Sequence, residues 1–151
     1  MTEGQRRGRK LAMSKEELDA FLSEERTCRV ATSGAAGPHL TALWFVWDGR
    51  AVWLTSITRS QRWADLARDP RVAVLVDAGR EYGELRGAEL RGKAETVGEV
   101  PRTGAWNQEL IEPERLFARK YLGANQMGHD ARHAWLRLRP AKIISWDFRK
   151  M

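Results

Sequence analysis

Apolar residues along the chain follow two rhythms, one helical and one alternating. Leu18, Phe21 and Leu22 recur at i, i+3 and i+4 and predict a helix over residues 14–24. Ser14 and Glu17 have the spacing of a capping box at its start. Residues 28–32 read as a strand, ended by the small residues of 33–37. Pro38 opens a second strand over 39–47. Asp48-Gly49 predicts a type I′ turn, with residues 50–56 returning as the hairpin partner. Ala51 to Leu54 is apolar without a break, which predicts burial on both faces. A short helix over 60–68 places Trp63, Leu66 and Ala67 on one face and stops at Asp69-Pro70.

Residues 71–77 form a β-branched strand. Over 84–97 the alternation sends Ala88, Leu90, Gly92 and Ala94 one way and Glu89, Arg91, Lys93 and Glu95 the other. Leu85 is out of phase, so a bulge is predicted near Gly87. Residues 99–122 read as helical, broken at Pro101, Gly104 and Pro113, with Leu116, Phe117 and Tyr121 on the apolar face. A loop follows over 123–130. The last strand runs over 133–148, with Leu136, Leu138, Ile144, Trp146 and Phe148 on one face and Pro140 at an edge or a bulge. About six strands with short helical inserts and no repeat predict one mainly β domain over 14–151, a small antiparallel barrel, closed or split.

Composition narrows the function classes. The net charge is +6, of which +4 lies in residues 1–15, so the body lacks the basic surface of a nucleic-acid binder. Residues 1–13 are expected to form a solvated flexible arm rather than a docking element. No apolar run is long enough to span a membrane, and the single Cys28 excludes an internal disulfide, so a reducing cytoplasm is the expected compartment. Seven tryptophans are many for 151 residues and suit a core or a subunit interface.

Candidate chemistry is sparse. There is no G-x-G-x-x-G, Walker loop, H-E-x-x-H or G-x-S-x-G motif. Cys28 opens an apolar strand with no base nearby and reads as a small core residue. His129 and His133 have a spacing that could share a metal on a helix, but two ligands in a loop do not make a site, and no metal is expected. The strongest local signal is residues 55–62, a hydroxyl-rich turn that leaves a buried strand and enters a helix. Its free N–H groups, Thr55, Ser56, Thr58 and Ser60, and the guanidinium groups of Arg59 and Arg62 suit a phosphate. Helix capping is the alternative use of the same residues.

These pieces, in order, resemble the pyridoxamine 5′-phosphate oxidase-like superfamily of split β-barrels, and within it the flavin/deazaflavin oxidoreductase B branch. The resemblance spans residues 14–150. It rests on Leu43-Trp44-Phe45 before Asp48-Gly49, Leu54-Thr55-Ser56, Ser60-Gln61-Arg62, Asp65-Leu66, Arg68-Asp69-Pro70-Arg71-Val72 and Ile144-Ser145-Trp146-Asp147. It implies that Thr55, Ser56, Ser60, Gln61 and Arg62 hold a cofactor phosphate, with Arg59 beside them. It also implies that Ala42, Leu43 and Trp44 line the cofactor ring, that Trp146 belongs to the cofactor site, and that the chain is a homodimer with cofactors between subunits.

The implied activity is hydride transfer to or from a small organic substrate with coenzyme F-420. The alternatives are an FMN-dependent oxidoreductase of the same fold, or a non-catalytic flavin or haem binder. No catalytic side chain is identified. True pyridoxamine phosphate oxidases continue into an R-L-H-D-R-type segment. Here five residues follow Trp146, and Gly87 stands near their cofactor-contacting glutamine, so vitamin B6 oxidation is not expected.

Overall fold

A computed structural model of the chain describes residues 4, 5 and 8–151. Its eight strands are β1 (Thr27–Gly34), β2 (Gly37–Trp44), β3 (Val46–Trp47), β4 (Val52–Ile57), β5 (Arg71–Ala78), β6 (Arg86–Val97), β7 (His133–Leu138) and β8 (Lys142–Asp147). All pair antiparallel, in the order β2-β1-β5-β6-β7-β4-β3, with β8 also on β6. The helices are α1 (Lys15–Glu24), α2 (Gln61–Arg68) and α3 (Gln108–Phe117), the last continued by a wider turn over Ala118–Leu122. This is the split-barrel architecture that the sequence predicts.

α1 starts as expected. Ser14 Oγ accepts the Glu17 N–H at 3.1 Å while the Glu17 carboxylate accepts the Ser14 N–H at 2.9 Å. Leu18, Phe21 and Leu22 are its buried stripe. Ala51, Val52, Trp53 and Leu54 are all buried, because β4 has core on both sides. Val52 and Leu54 join the barrel core with Val30, Val74 and Leu90. Ala51 and Trp53 join a second core under α3 with Phe117 and Trp135.

Several expectations are corrected. The second strand breaks at Phe45: β2 pairs with β1, whereas Val46 and Trp47 pair with β4. The backbone groups of Phe45 that the crossover strands are met by Tyr121, whose hydroxyl accepts the Phe45 N–H at 3.1 Å and lies 2.6 Å from the Phe45 and Arg26 carbonyls. The turn at Asp48-Gly49 is not type I′. Only Gly49 has positive φ, and the Asp48 carboxylate closes the loop by accepting the Arg50 and Ala51 N–H groups.

No bulge occurs at Gly87, where the β5–β6 register runs unbroken from Arg71↔Lys93 to Ala78↔Arg86. Glycine is needed there because the Trp146 ring covers it. The bulge lies at Pro140. Ala94 faces Leu138 and Arg91 faces Lys142, so four steps of chain answer to three on β6. That extra residue reverses the faces: Leu136, Leu138 and Ile143 meet the core, while Ile144 and Trp146 take the opposite side. Residues 99–107 are not helical.

Part of the expected arm is docked. Gln5 exchanges two hydrogen bonds with the backbone of Ser145, and the Ser145 hydroxyl accepts the Met13 N–H at 2.9 Å. Arg6 and Arg7 lie outside the described residues.

Candidate functional site

The junction of β4 and α2 gathers most of the predicted residues but uses them unequally. Ser60 is the N-cap of α2: its hydroxyl accepts the Trp63 N–H at 3.1 Å. The Gln61 amide donates to Asp65 at 2.8 Å. Buried Asp65 also accepts from the Thr32 hydroxyl at 2.8 Å, and His39 Nδ1 lies 3.3 Å away. The hydrogen bonds from Gln61 and then Thr32 hold the Asp65 carboxyl below its usual value. The buried face of α2 is therefore Arg62, Asp65 and Leu66, whereas Ala67, expected on the apolar face, is exposed and Trp63 half-buried.

Arg62 is 9% exposed, and its Nε donates to the Ser56 hydroxyl at 3.1 Å and its Nη1 to Thr41 at 2.8 Å. Among the described residues no carboxylate lies within ion-pair distance of it. Burial lowers its pKa from the usual arginine value. A buried guanidinium held only by hydroxyl oxygens keeps its charge available to an anion, since neutral acceptors compensate desolvation only in part.

The other predicted residues do not share one surface. Thr55 and Ser56 point to opposite faces of β4: Ser56 turns toward Arg62, while Thr55 follows Ala51 and Trp53 toward α3. On β2, Leu43 packs against the barrel core and Ala42 and Trp44 are exposed, with Trp44 stacked on Tyr121 at 4.3 Å between ring centroids. Arg59 is exposed on the turn and has no ion pair among the described residues. Trp146 lies over Gly87 on β6, away from the Ser56–Arg62 contact within this chain.

On the Thr55 side a cavity of about 380 Å³ opens between β4, β7 and the 122–130 loop. Phe117, Leu122, Met127 and Trp135 form its apolar wall; Thr55, Arg102, His129, Asp130 and His133 supply polar groups. Behind it, the Glu114 carboxylate receives both Nε and Nη2 of Arg102 (2.9 and 3.0 Å), Trp135 Nε1 (3.0 Å) and His129 Nε2 (2.9 Å). Burial would raise the Glu114 pKa, but these hydrogen bonds, led by Arg102, lower it overall. Arg102 also bonds Glu99. No local pattern marks this cluster, since its members come from separate segments.

His129 and His133, the expected non-site, each engage a carboxylate: Glu114 and Asp130. Among the described residues no group of three His, Cys, Asp or Glu is placed to hold a metal ion. Cys28 is a fully buried core residue, and burial pushes its thiol up to about 12.

The family model described as pyridoxamine 5′-phosphate oxidase matches residues 14–147. The conserved hypothetical protein Rv2991 from Mycobacterium tuberculosis is similar in structure, with 31% identity, a TM-score of 0.78, and 98% of this chain and 92% of that one covered. An F420 reductase is 26% identical, with a TM-score of 0.62 over 83% of this chain and 94% of the other. A FAD-binding protein from Mesorhizobium loti shares the fold at 16% identity, with a TM-score of 0.66 and coverage of 89% and 92%. No curated protein matches the sequence.

Proposed function

The chain belongs to the pyridoxamine 5′-phosphate oxidase family, and we propose that it is an oxidoreductase using the deazaflavin coenzyme F-420 to transfer hydride to or from a small organic substrate. The observation that carries this reading is Arg62: a buried cation at the start of a helix, bonded among the described residues to hydroxyl groups alone. These residues fit a phosphate. When bound, the cofactor ring would donate or accept the hydride. Arg62 would neutralise the phosphate, Ser56 and Thr41 would keep the guanidinium aimed, and the first N–H groups of α2 would add donors. Ser60 and Gln61 act one step back: Ser60 caps the helix and Gln61 fixes Asp65.

The 26%-identical F420 reductase supports the deazaflavin over FMN, and so does Arg59, an exposed cation beside the phosphate turn that suits the anionic F-420 tail. FMN would use the same phosphate site. We also propose a homodimer built on β2, an edge strand whose outer face exposes Leu40 (67%) and Trp44 (44%). No helix among the described residues is long and apolar enough to cross a membrane. The absorption spectrum of the purified chain, followed by titration with F-420, FMN and haemin, tests the assignment. Saturable F-420 binding at the tightest affinity supports it; exclusive haemin binding contradicts it.

A further inference from the structure

Strand register brings two unspent polar groups to one wall of the cavity beside Thr55. Across the β4–β7 pairing Thr55 faces Trp135 and Ile57 faces His133, so Thr55 and His133 are diagonal neighbours on one face. The Thr55 hydroxyl has no hydrogen bond among the described residues. His133 is held at backbone and ring. Its carbonyl accepts the Arg102 N–H at 2.8 Å, and its Nδ1 lies 2.6 Å from Asp130 Oδ2. The Asp130 carboxylate also accepts the N–H groups of Arg132 and His133 at 2.9 and 3.0 Å. These contacts, the Arg132 N–H first, hold the Asp130 carboxyl down to about 2, so it is ionised and accepts the Nδ1 proton as a hydrogen bond. In the neutral imidazole the other nitrogen, Nε2, is then an acceptor. It too has no hydrogen bond among the described residues.

The remaining polar side chains of the cavity are committed to the protein. Arg102 is neutralised by Glu114 and Glu99. His129 bonds Glu114 through Nε2, and its Nδ1 packs so closely on Gly104 that a Cβ there would lie 3.0 Å away. Asp130 is met by its three donors. No unpaired cation among the described residues faces the cavity, and the Asp130 charge disfavours an anion. The apolar wall is aromatic at its base, where Phe117 and Trp135 meet edge to face with ring centroids 6.0 Å apart. A volume of about 380 Å³ suits a neutral molecule of one or two rings.

We propose that this cavity is a binding site for a small neutral phenol, whose hydroxyl donates to His133 Nε2 and accepts from the Thr55 hydroxyl. A phenolic oxygen has one proton to give and lone pairs to receive, which matches an acceptor beside a hydroxyl on an aromatic wall. An ether or a carbonyl brings no proton for Nε2. An indole N–H brings no lone pair for Thr55. A plain hydrocarbon gains the wall but leaves both polar groups unpaired and out of water. Binding here needs no cofactor: Ser56 and Arg62 lie on the opposite face of β4.

The test is calorimetric titration of the full chain with p-cresol and with p-xylene, which carries a methyl group in place of the hydroxyl. At pH 8 an imidazole is ordinarily neutral and a phenol still protonated. Wild type should bind p-cresol more tightly than p-xylene, although p-xylene is the more apolar. His133→Phe, which keeps a ring and removes the acceptor, should weaken p-cresol at least tenfold and leave p-xylene within twofold, so that p-xylene reports an intact cavity. His133→Gln, whose amide oxygen accepts, should recover part of the loss. Thr55→Val should weaken p-cresol about threefold and leave p-xylene unchanged. Tighter binding of p-xylene by wild type, no measurable binding of p-cresol, or p-cresol affinity unchanged in His133→Phe overturns the proposal, whatever the cofactor titrations give.

Discussion

The Nε of Arg62 lies 3.1 Å from the hydroxyl of Ser56, across the turn that joins β4 to α2, and no carboxylate is within ion-pair distance among the described residues. Most buried arginines are paired, because an ionised group without a counter-charge is costly to desolvate. This one is held by Ser56 and Thr41, two neutral groups that position it without neutralising it.

Arg62→Ala should therefore weaken cofactor binding by about 1.5–3 kcal/mol, or roughly 10- to 150-fold, the scale of a charge-assisted hydrogen bond. Ser60→Ala should behave differently, since its hydroxyl caps α2. It should cost about 1 kcal/mol of fold stability and leave affinity nearly unchanged. Calorimetric titration of both variants, with denaturant unfolding, separates the two roles. Equal affinity losses would contradict this division.

Gly87→Ala should destabilise the fold by about 1–3 kcal/mol, the usual cost of overpacking. A Cβ on Gly87 would sit 2.9 Å from Trp146 Nε1 and nearer still to two ring carbons. Urea unfolding reads the effect. Full stability would mean that Trp146 has another place to go.

The parts of the fold legible in the sequence are those set by short-range rules. The capping box at Ser14 and Glu17, the doubly buried Ala51–Leu54 run and the exceptional Pro140 each announce themselves within a few residues. The effect of Pro140 did not: one extra residue at the bulge turns Trp146 to the opposite face, which periodicity counted through the proline misses. On α2, apolar spacing selects Ala67, yet the buried positions are Arg62 and Asp65, whose partners Ser56, Thr41 and Thr32 lie on other elements. The Arg102–Glu114–His129 cluster was illegible for the same reason, being assembled by tertiary contact alone.

Acid should lower the stability of the fold over a defined window. Glu99, Asp69 and Asp130 are each held down to about 2 by hydrogen bonds, chiefly from Thr103, Arg71 and the Arg132 backbone respectively. Depressed carboxyl values stabilise the fold above the ordinary carboxylate range, and that stability is lost as pH falls from about 4.5 toward 2. These groups lie at the surface, where solvent screens them, so thermal midpoints should be flat from pH 7 to 5 and fall modestly below about 4. A midpoint unchanged at pH 3 would contradict the ion-pair geometry.

The central claim, a deazaflavin phosphate at Arg62 with its anionic tail near Arg59, is tested most directly by titrating the chain with F-420 and FMN across ionic strength. Exposed charge pairs are screened over about 8–10 Å near physiological salt. F-420 should bind more tightly than FMN at low salt, the gap should narrow as salt rises, and Arg59→Ala should narrow it at low salt while leaving FMN affinity unchanged. Tighter binding of FMN at every salt concentration, or F-420 affinity indifferent to both salt and Arg59, would contradict the account.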